Sequence, residues 1–286
     1  MFRFMNNFKT AMLLAMMMAL FMAAGSAIGG QRGMIIAFFL GGFMNIFAYF
    51  FSDKLALGSM RAQQVDDQTA PELVGLVREL SQKAGLPMPR VYICPQSSPN
   101  AFATGRNPKN AAVAVTSGIL ELLDYNEMSG VIAHELAHIK HRDILISSIA
   151  ATIAGAISGL GYLLWFVPIG GSDRQGGNPF VALAMVILAP IAAGLIQMAI
   201  SRRREYNADN YGAELSGDPM YLATALEKLH HYGRSRPMRV AMDSQKSMFI
   251  VAPFSGKGGV DWFNTHPNLK SRLMALIGRE STGLIR

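Results

Sequence analysis

The 286-residue chain carries a formal net charge of +7, with 16% charged and 51% hydrophobic residues. Soluble domains carry roughly 25% charged residues, so the shortfall points to membrane-embedded segments, and the basic balance suits a chain lying against anionic lipid. No basic stripe with interleaved aromatics argues for nucleic acid. The single cysteine, Cys94, excludes an internal disulfide framework and any zinc site built on several thiolates; it reads as a small residue packed near a strand.

The first elements in chain order are two uncharged apolar runs, 10–30 and 33–52. Each is near the ~20 residues that a helix needs to cross a bilayer. The first, preceded by Lys9 and ending near a small-residue "GSA", also has the features of a signal peptide. The second run follows within a few residues, which favours a two-helix hairpin. Polar sequence starts at 53. Within it, 99–118 reads "PNAFATGRNPKNAAVAVTSG", two strand-like stretches separated by the turn "GRNPKN". This predicts a hairpin, whose edge strand beside a metal cleft could hold a peptide by main-chain hydrogen bonds.

Residues 126–143 are expected to be helical, with Asn126 as N-cap and Glu127 in the first turn. Here "VIAHELAHIKHRD" places His134 and His138 four residues apart, on one helical face. Glu135, next along, is placed to take a proton from a water on an ion shared by the two imidazoles. This is the H-E-x-x-H arrangement of zinc peptidases, in which zinc brings the pKa of a bound water to roughly 7. His141 lies about 10 Å along the axis from His134, too far to share the ion, and reads as a headgroup-level or packing residue.

Two more apolar runs follow, with spans at about 144–167 and 179–200. They are rich in Gly, Ala and Ser, which allows close helix packing, and Pro190 is expected to kink the fourth. Lys and Arg cluster before the first span, between 53 and 143, and after the fourth, as Arg202, Arg203 and Arg204. That bias puts both termini and the segments 53–143 and 201–286 on the cytoplasmic side. The two segments are expected to fold together as one domain split by the second hairpin.

No acid occurs in the third span. The first acid back on the cytoplasmic side is Glu205, with Asp209 four residues on. Two like charges at this spacing normally weaken a helix. A metal ligand, Glu205, and a partner for a ligating imidazole, Asp209, would explain the pair. An antiparallel hairpin of spans three and four brings Glu205 to the depth of the H-E-x-x-H helix. Residues 233–259 read as loops around a short strand "SMFIVA". His230 and His231 read as a helix end. In "THPNLKSR", His266 sits in a loop before an amphipathic helix carrying Arg272, and either a surface position or hydrogen bonding to an oxyanion is open to it.

The sequence resembles the HtpX family of membrane zinc endopeptidases, relatives of the CAAX prenyl proteases. The resemblance is carried by "NAFATG" at 100–105, "AVTSGIL" at 114–120, "HELAH" at 134–138, "SRRREYNAD" at 201–209 and "THPNLKSR" at 265–272. It implies a mainly α membrane protein with four transmembrane helices and a split cytoplasmic zincin-like α+β domain carrying a small β-sheet. It implies one zinc ion on His134, His138 and Glu205, with Glu135 as general base and Asp209 behind a ligand. His266 and Arg272 match positions that stabilise the reaction intermediate, and Asn100 and Ala101 match a substrate-pairing strand. The implied role is quality control of damaged or misfolded membrane proteins in the bacterial inner membrane. Asn207 departs from the family pattern, where Glu is expected, but lies off the metal face. The alternatives are a CAAX-type processing peptidase, which usually needs more spans, and a non-enzymatic membrane adaptor or regulator, against which the intact Glu135 argues. Oligomeric state is not legible.

Overall fold

The computed structural model describes residues 2–149, 202–235 and 267–284. The chain opens with α1 (Phe2–Ser59), a helical stretch that doubles back on itself. Gly30 adopts a left-handed φ of 57°, and the Asn45 side-chain amide donates to the Leu14 carbonyl at 3.0 Å. In a straight helix those two residues would stand about 46 Å apart. The first two apolar runs therefore pair as a hairpin. Its second arm, Gly30–Ser59, is long and apolar enough to cross a membrane and buries only 17% of its apolar window. Ile36, Phe39, Phe43 and Ile46 stand exposed along it.

Four strands follow: β1 (Gln63–Val65), β2 (Arg90–Cys94), β3 (Ala101–Gly105) and β4 (Ala111–Thr116). Helix α2 (Pro71–Ala84) connects the first two, starting with Pro71 and ending at a left-handed Gly85. The sheet order is β1-β2-β4-β3, with β2 and β4 parallel and the outer pairs antiparallel. The expected hairpin is β3–β4, joined by a 3-10 turn at Pro108–Asn110 and pairing Phe102 with Ala114. β4 is buried at every position, as expected of a strand covered on both faces. One face packs Tyr92, Cys94, Phe102 and Ala114 against Leu57 and Met60 at the base of α1. Cys94 is thus a core residue, and its burial pushes the thiol up to about 11.

The other face is covered by α4 (Tyr125–His141), which follows the short α3 (Ser117–Leu122). Beyond it lie α5 (Arg202–Ser216), α6 (Pro219–Ser235) and α7 (Leu269–Ile277). Val113, Val131, Ile132, Leu136, Leu222 and Leu226 form the centre of this core. Described residues of the two polar segments thus share one core.

Two details of α4 differ from the sequence expectation. Its N-cap is Asp124 rather than Asn126. The Asp124 side chain accepts from the Glu127 amide, and the Glu127 carboxylate accepts from the Asp124 amide. Such a reciprocal box needs a carboxylate three residues on, which Asn126 lacks, because Ser129 stands there. The helix also stops at His141. Arg142 adopts a left-handed φ of 61°, and helix resumes over 143–149. The rest of the third span, the fourth span, the "SMFIVA" strand with the loops around it from 236 onward, and His266 lie outside the described residues.

Candidate metal centre

α4 positions the site because three neighbours clamp it. Gly212 of α5 lies against the His134 backbone, and Gly130 of α4 against the Leu222 backbone of α6. The Lys140 ammonium donates to the Ala84 carbonyl at 3.0 Å and to the Tyr211 hydroxyl at 2.6 Å, tying α4 to α2 and α5.

Within this clamp, one imidazole nitrogen each from His134 and His138 and a carboxylate oxygen of Glu205 all lie within 4.8 Å of one another. The two Nε2 atoms are 3.2 Å apart. Each lies 3.8 Å from a Glu205 oxygen. Ligands at about 2.0–2.2 Å around a tetrahedral ion are separated by roughly 3.3–3.6 Å, so the spacings bracket those required. The donor set is also that of zinc: borderline nitrogen and carboxylate oxygen, with three protein ligands. His134 is fully buried, and Glu205 and Glu135 are largely so. The residues present fit the ion that the motif implies.

Each imidazole has an aspartate at its other nitrogen. Asp209 Oδ1 lies 2.9 Å from His134 Nδ1, close but not well aligned for a hydrogen bond. Asp143 Oδ2 lies 3.2 Å from His138 Nδ1. A carboxylate there favours the tautomer protonated at Nδ1, which leaves Nε2 free for an ion. Asp209 is held in turn by Arg272, whose Nε and Nη2 donate at 2.8 and 2.6 Å. Burial alone would push the Asp209 carboxyl up, but the Arg272 charge and its hydrogen bonds, with His134, outweigh this and hold it at about 2. For His138, burial opposes the charged form. The Asp143 hydrogen bond and the charges of Glu205 and Glu135 override it and raise the imidazole to about 9.

Sequence reasoning brought together His134, Glu135, His138, Glu205 and Asp209, and all five meet here. It placed Arg272 on the intermediate. In the structure its guanidinium lies on the carboxylate behind His134. It missed Asp143, for which the available signal was an acid five residues after the second histidine, just past the helix end. His141 packs edge-on against Tyr211, with ring centroids 5.7 Å apart, and burial pushes its imidazole down. Asn207 lines a pocket of about 250 Å³ with Asp143, Arg204 and Glu214. Asn100 and Ala101 are buried where β3 begins. The Asn100 amide donates to Thr116 Oγ1 at 2.8 Å and its carbonyl accepts from the Thr116 amide at 2.9 Å. By antiparallel alternation, Phe102 and Thr104 also face β4, and Ala101 and Ala103 turn their main-chain groups to the outer edge.

Comparison with known proteins agrees with this geometry. The profile of peptidase family M48 matches residues 67–280. Proteins described as protease HtpX homologs from Burkholderia thailandensis, Burkholderia mallei and Burkholderia pseudomallei are 52% identical over 279 residues, spanning 96% of this chain and 97% of theirs. The crystal structure of S. mikatae Ste24p superposes with a TM-score of 0.53 at 17% identity, covering 96% of this chain and 66% of that one. At that identity the likeness speaks for the fold. Taken with the H-E-x-x-H helix, the Glu205 carboxylate facing it and the long apolar hairpin, these matches show that the chain belongs to peptidase family M48, as an HtpX-like membrane metalloprotease.

Proposed function

We propose that the chain is a zinc endopeptidase that cleaves unfolded or damaged membrane proteins at the cytoplasmic face of the bacterial inner membrane. His134, His138 and Glu205 hold the zinc. The observation that carries this is the convergence of three donors from two separated segments at tetrahedral spacing, with a buried carboxylate, Glu135, next to the first. When bound, zinc supplies a Lewis acid that polarises the scissile carbonyl and acidifies water.

The chain's own residues do the rest. Glu135 accepts a proton from the attacking water and delivers it to the departing amine. Asp209 and Arg272 fix the His134 ring from behind. His266 is read as a hydrogen-bond donor to the carbonyl oxygen as charge develops on it. β3 is an edge strand that packs against α4. Its outward groups at Ala101 and Ala103 suit an extended peptide bound with little regard for side chains, as removal of varied unfolded substrates needs. Asn100, pinned to Thr116, fixes the start of that strand.

The reading extends to a multi-pass topology with four spans, 1–52 and 144–200 forming two hairpins and 53–143 with 201–286 forming the protease domain. Lys and Arg bias supports it, and reporter fusions to the loop at 170–178 test it by locating that loop outside the cytoplasm. The ligand assignment is tested by metal content. His134→Ala, His138→Ala and Glu205→Ala protein should purify without zinc, whereas Glu135→Gln protein should keep one ion per chain. Zinc retained in all three ligand variants would refute the assignment.

A further inference from the structure

Arg204 and Asp143 form a second arginine–aspartate–histidine relay. The known pair, Arg272 with Asp209, backs His134. On the other side Arg204 Nη1 lies 3.7 Å from Asp143 Oδ1, an ion pair without a hydrogen bond from that nitrogen, and Asp143 Oδ2 lies 3.2 Å from His138 Nδ1. Asp143 and Arg204 are 3% and 8% exposed. A buried carboxylate and guanidinium are costly unless each meets an opposite charge, so their being here calls for a reason.

The chain takes a specific backbone step to put Asp143 there. From a continuous helix, a residue five positions after His138 would point away from the His138 ring. The left-handed Arg142 breaks α4 after His141 and returns Asp143 to the ring. A left-handed conformation is uncommon in a residue other than glycine. Arg204 is the residue immediately before Glu205 on α5. The relay therefore starts on the helix that carries one metal-binding group and ends on a ring belonging to the other.

We propose that Asp143, held by Arg204, is a positioning residue that sets the tautomer and orientation of His138 for the metal and locks α5 to the end of α4. The inference rests on the reading of His138 as a zinc ligand. Removing a carboxylate behind a ligating histidine typically costs 10–100-fold in metal affinity. Arg204 acts only through Asp143, so its loss should add nothing once Asp143 is gone.

The test is zinc affinity of the full chain in detergent, measured by competition with a chromophoric chelator. The proteins are wild type, His138→Ala, Asp143→Asn, Arg204→Gln and the Asp143→Asn/Arg204→Gln double variant. Thermal unfolding of each chelator-treated protein runs alongside. We expect Asp143→Asn to weaken zinc about 10–100-fold, Arg204→Gln to weaken it less, and the double variant to match Asp143→Asn. Unchanged affinity in Asp143→Asn protein, or a lower melting temperature with no change in affinity, would overturn the inference while wild-type binding and its loss in His138→Ala left the zinc reading intact. Additive losses would overturn the relay. If Asp143→Asn protein does not fold, Arg204→Gln, which keeps the carboxylate, decides: unchanged affinity overturns the inference. A wild type that binds no zinc overturns both readings.

Discussion

Gly212 of α5 sits directly against the backbone of His134. A Cβ at 212 would meet the His134 nitrogen at 2.9 Å and its Cα at 3.0 Å. The two helices can approach this closely only because position 212 has no side chain, and Asp209 and Glu205 lie one and two turns earlier on the same helix. Gly212→Ala must push α5 away from α4 by several tenths of an ångström. We expect a loss of about 1–3 kcal/mol in stability and weaker zinc binding. Thermal unfolding and chelator competition check this; wild-type values in both would show that the contact is not what sets the site.

The Arg272–Asp209 pair is buried on both sides. Replacing Arg272 with Met leaves an unpaired carboxylate inside the protein, at a cost of about 3–5 kcal/mol. Replacing both, as Asp209→Asn with Arg272→Met, should recover much of that stability without recovering metal affinity, because Asn cannot fix the His134 tautomer as a carboxylate does. Unfolding midpoints together with zinc content separate the two effects.

Zinc binding should displace a proton from His138. In chelator-treated protein its pKa lies at about 9, above the usual 6.5, so the imidazole is charged at pH 7.5. A ligating imidazole must be neutral. A raised folded-state value means that this proton stabilises the metal-free protein below pH 6.5 and that the contribution fades as pH rises through 9. Titration calorimetry of zinc binding at pH 7.5 in buffers of different ionisation enthalpy should report proton release, and the His138 share of that release should fade as pH rises through 9. No buffer dependence at pH 7.5 would contradict the assignment of charge.

The outer edge of β3 gives a further test. Ala103 turns its amide away from β4, so Ala103→Pro removes an outward donor without taking a bond from the ladder, and proline is tolerated on such edges. We expect KM for an unfolded protein substrate to rise several-fold while zinc content and melting temperature hold. Phe102→Pro, by contrast, removes a ladder bond and should destabilise the sheet. Unchanged KM in Ala103→Pro protein would argue that substrate does not pair with this edge.

How much of this was legible in the sequence follows the range of the physics involved. His134 and His138 were readable because helical periodicity is local. Glu205 and Asp209 were readable because a span without acids left few carboxylates that could return to the same surface. The β3–β4 hairpin was readable from its turn. Asp143 was not, because its position depends on one left-handed residue, Arg142, and nothing in "HRD" announces that the helix breaks there rather than running on into the span. The placement of β4 between β2 and β3 was equally silent, since parallel neighbours are chosen by long-range packing. The role of Arg272 was read from resemblance alone. Its bidentate contact with Asp209 needs the third dimension, because the two residues lie on helices separated by α6.

In the proposed mechanism Glu135 moves the proton in peptide hydrolysis. The most direct measurement is cleavage of casein by the purified, detergent-solubilised full chain with added zinc, wild type beside Glu135→Gln, with metal content determined on both. We expect wild type to cleave and Glu135→Gln to lose about 10²–10⁴-fold in rate while keeping its zinc. Equal cleavage by both proteins would contradict the mechanism.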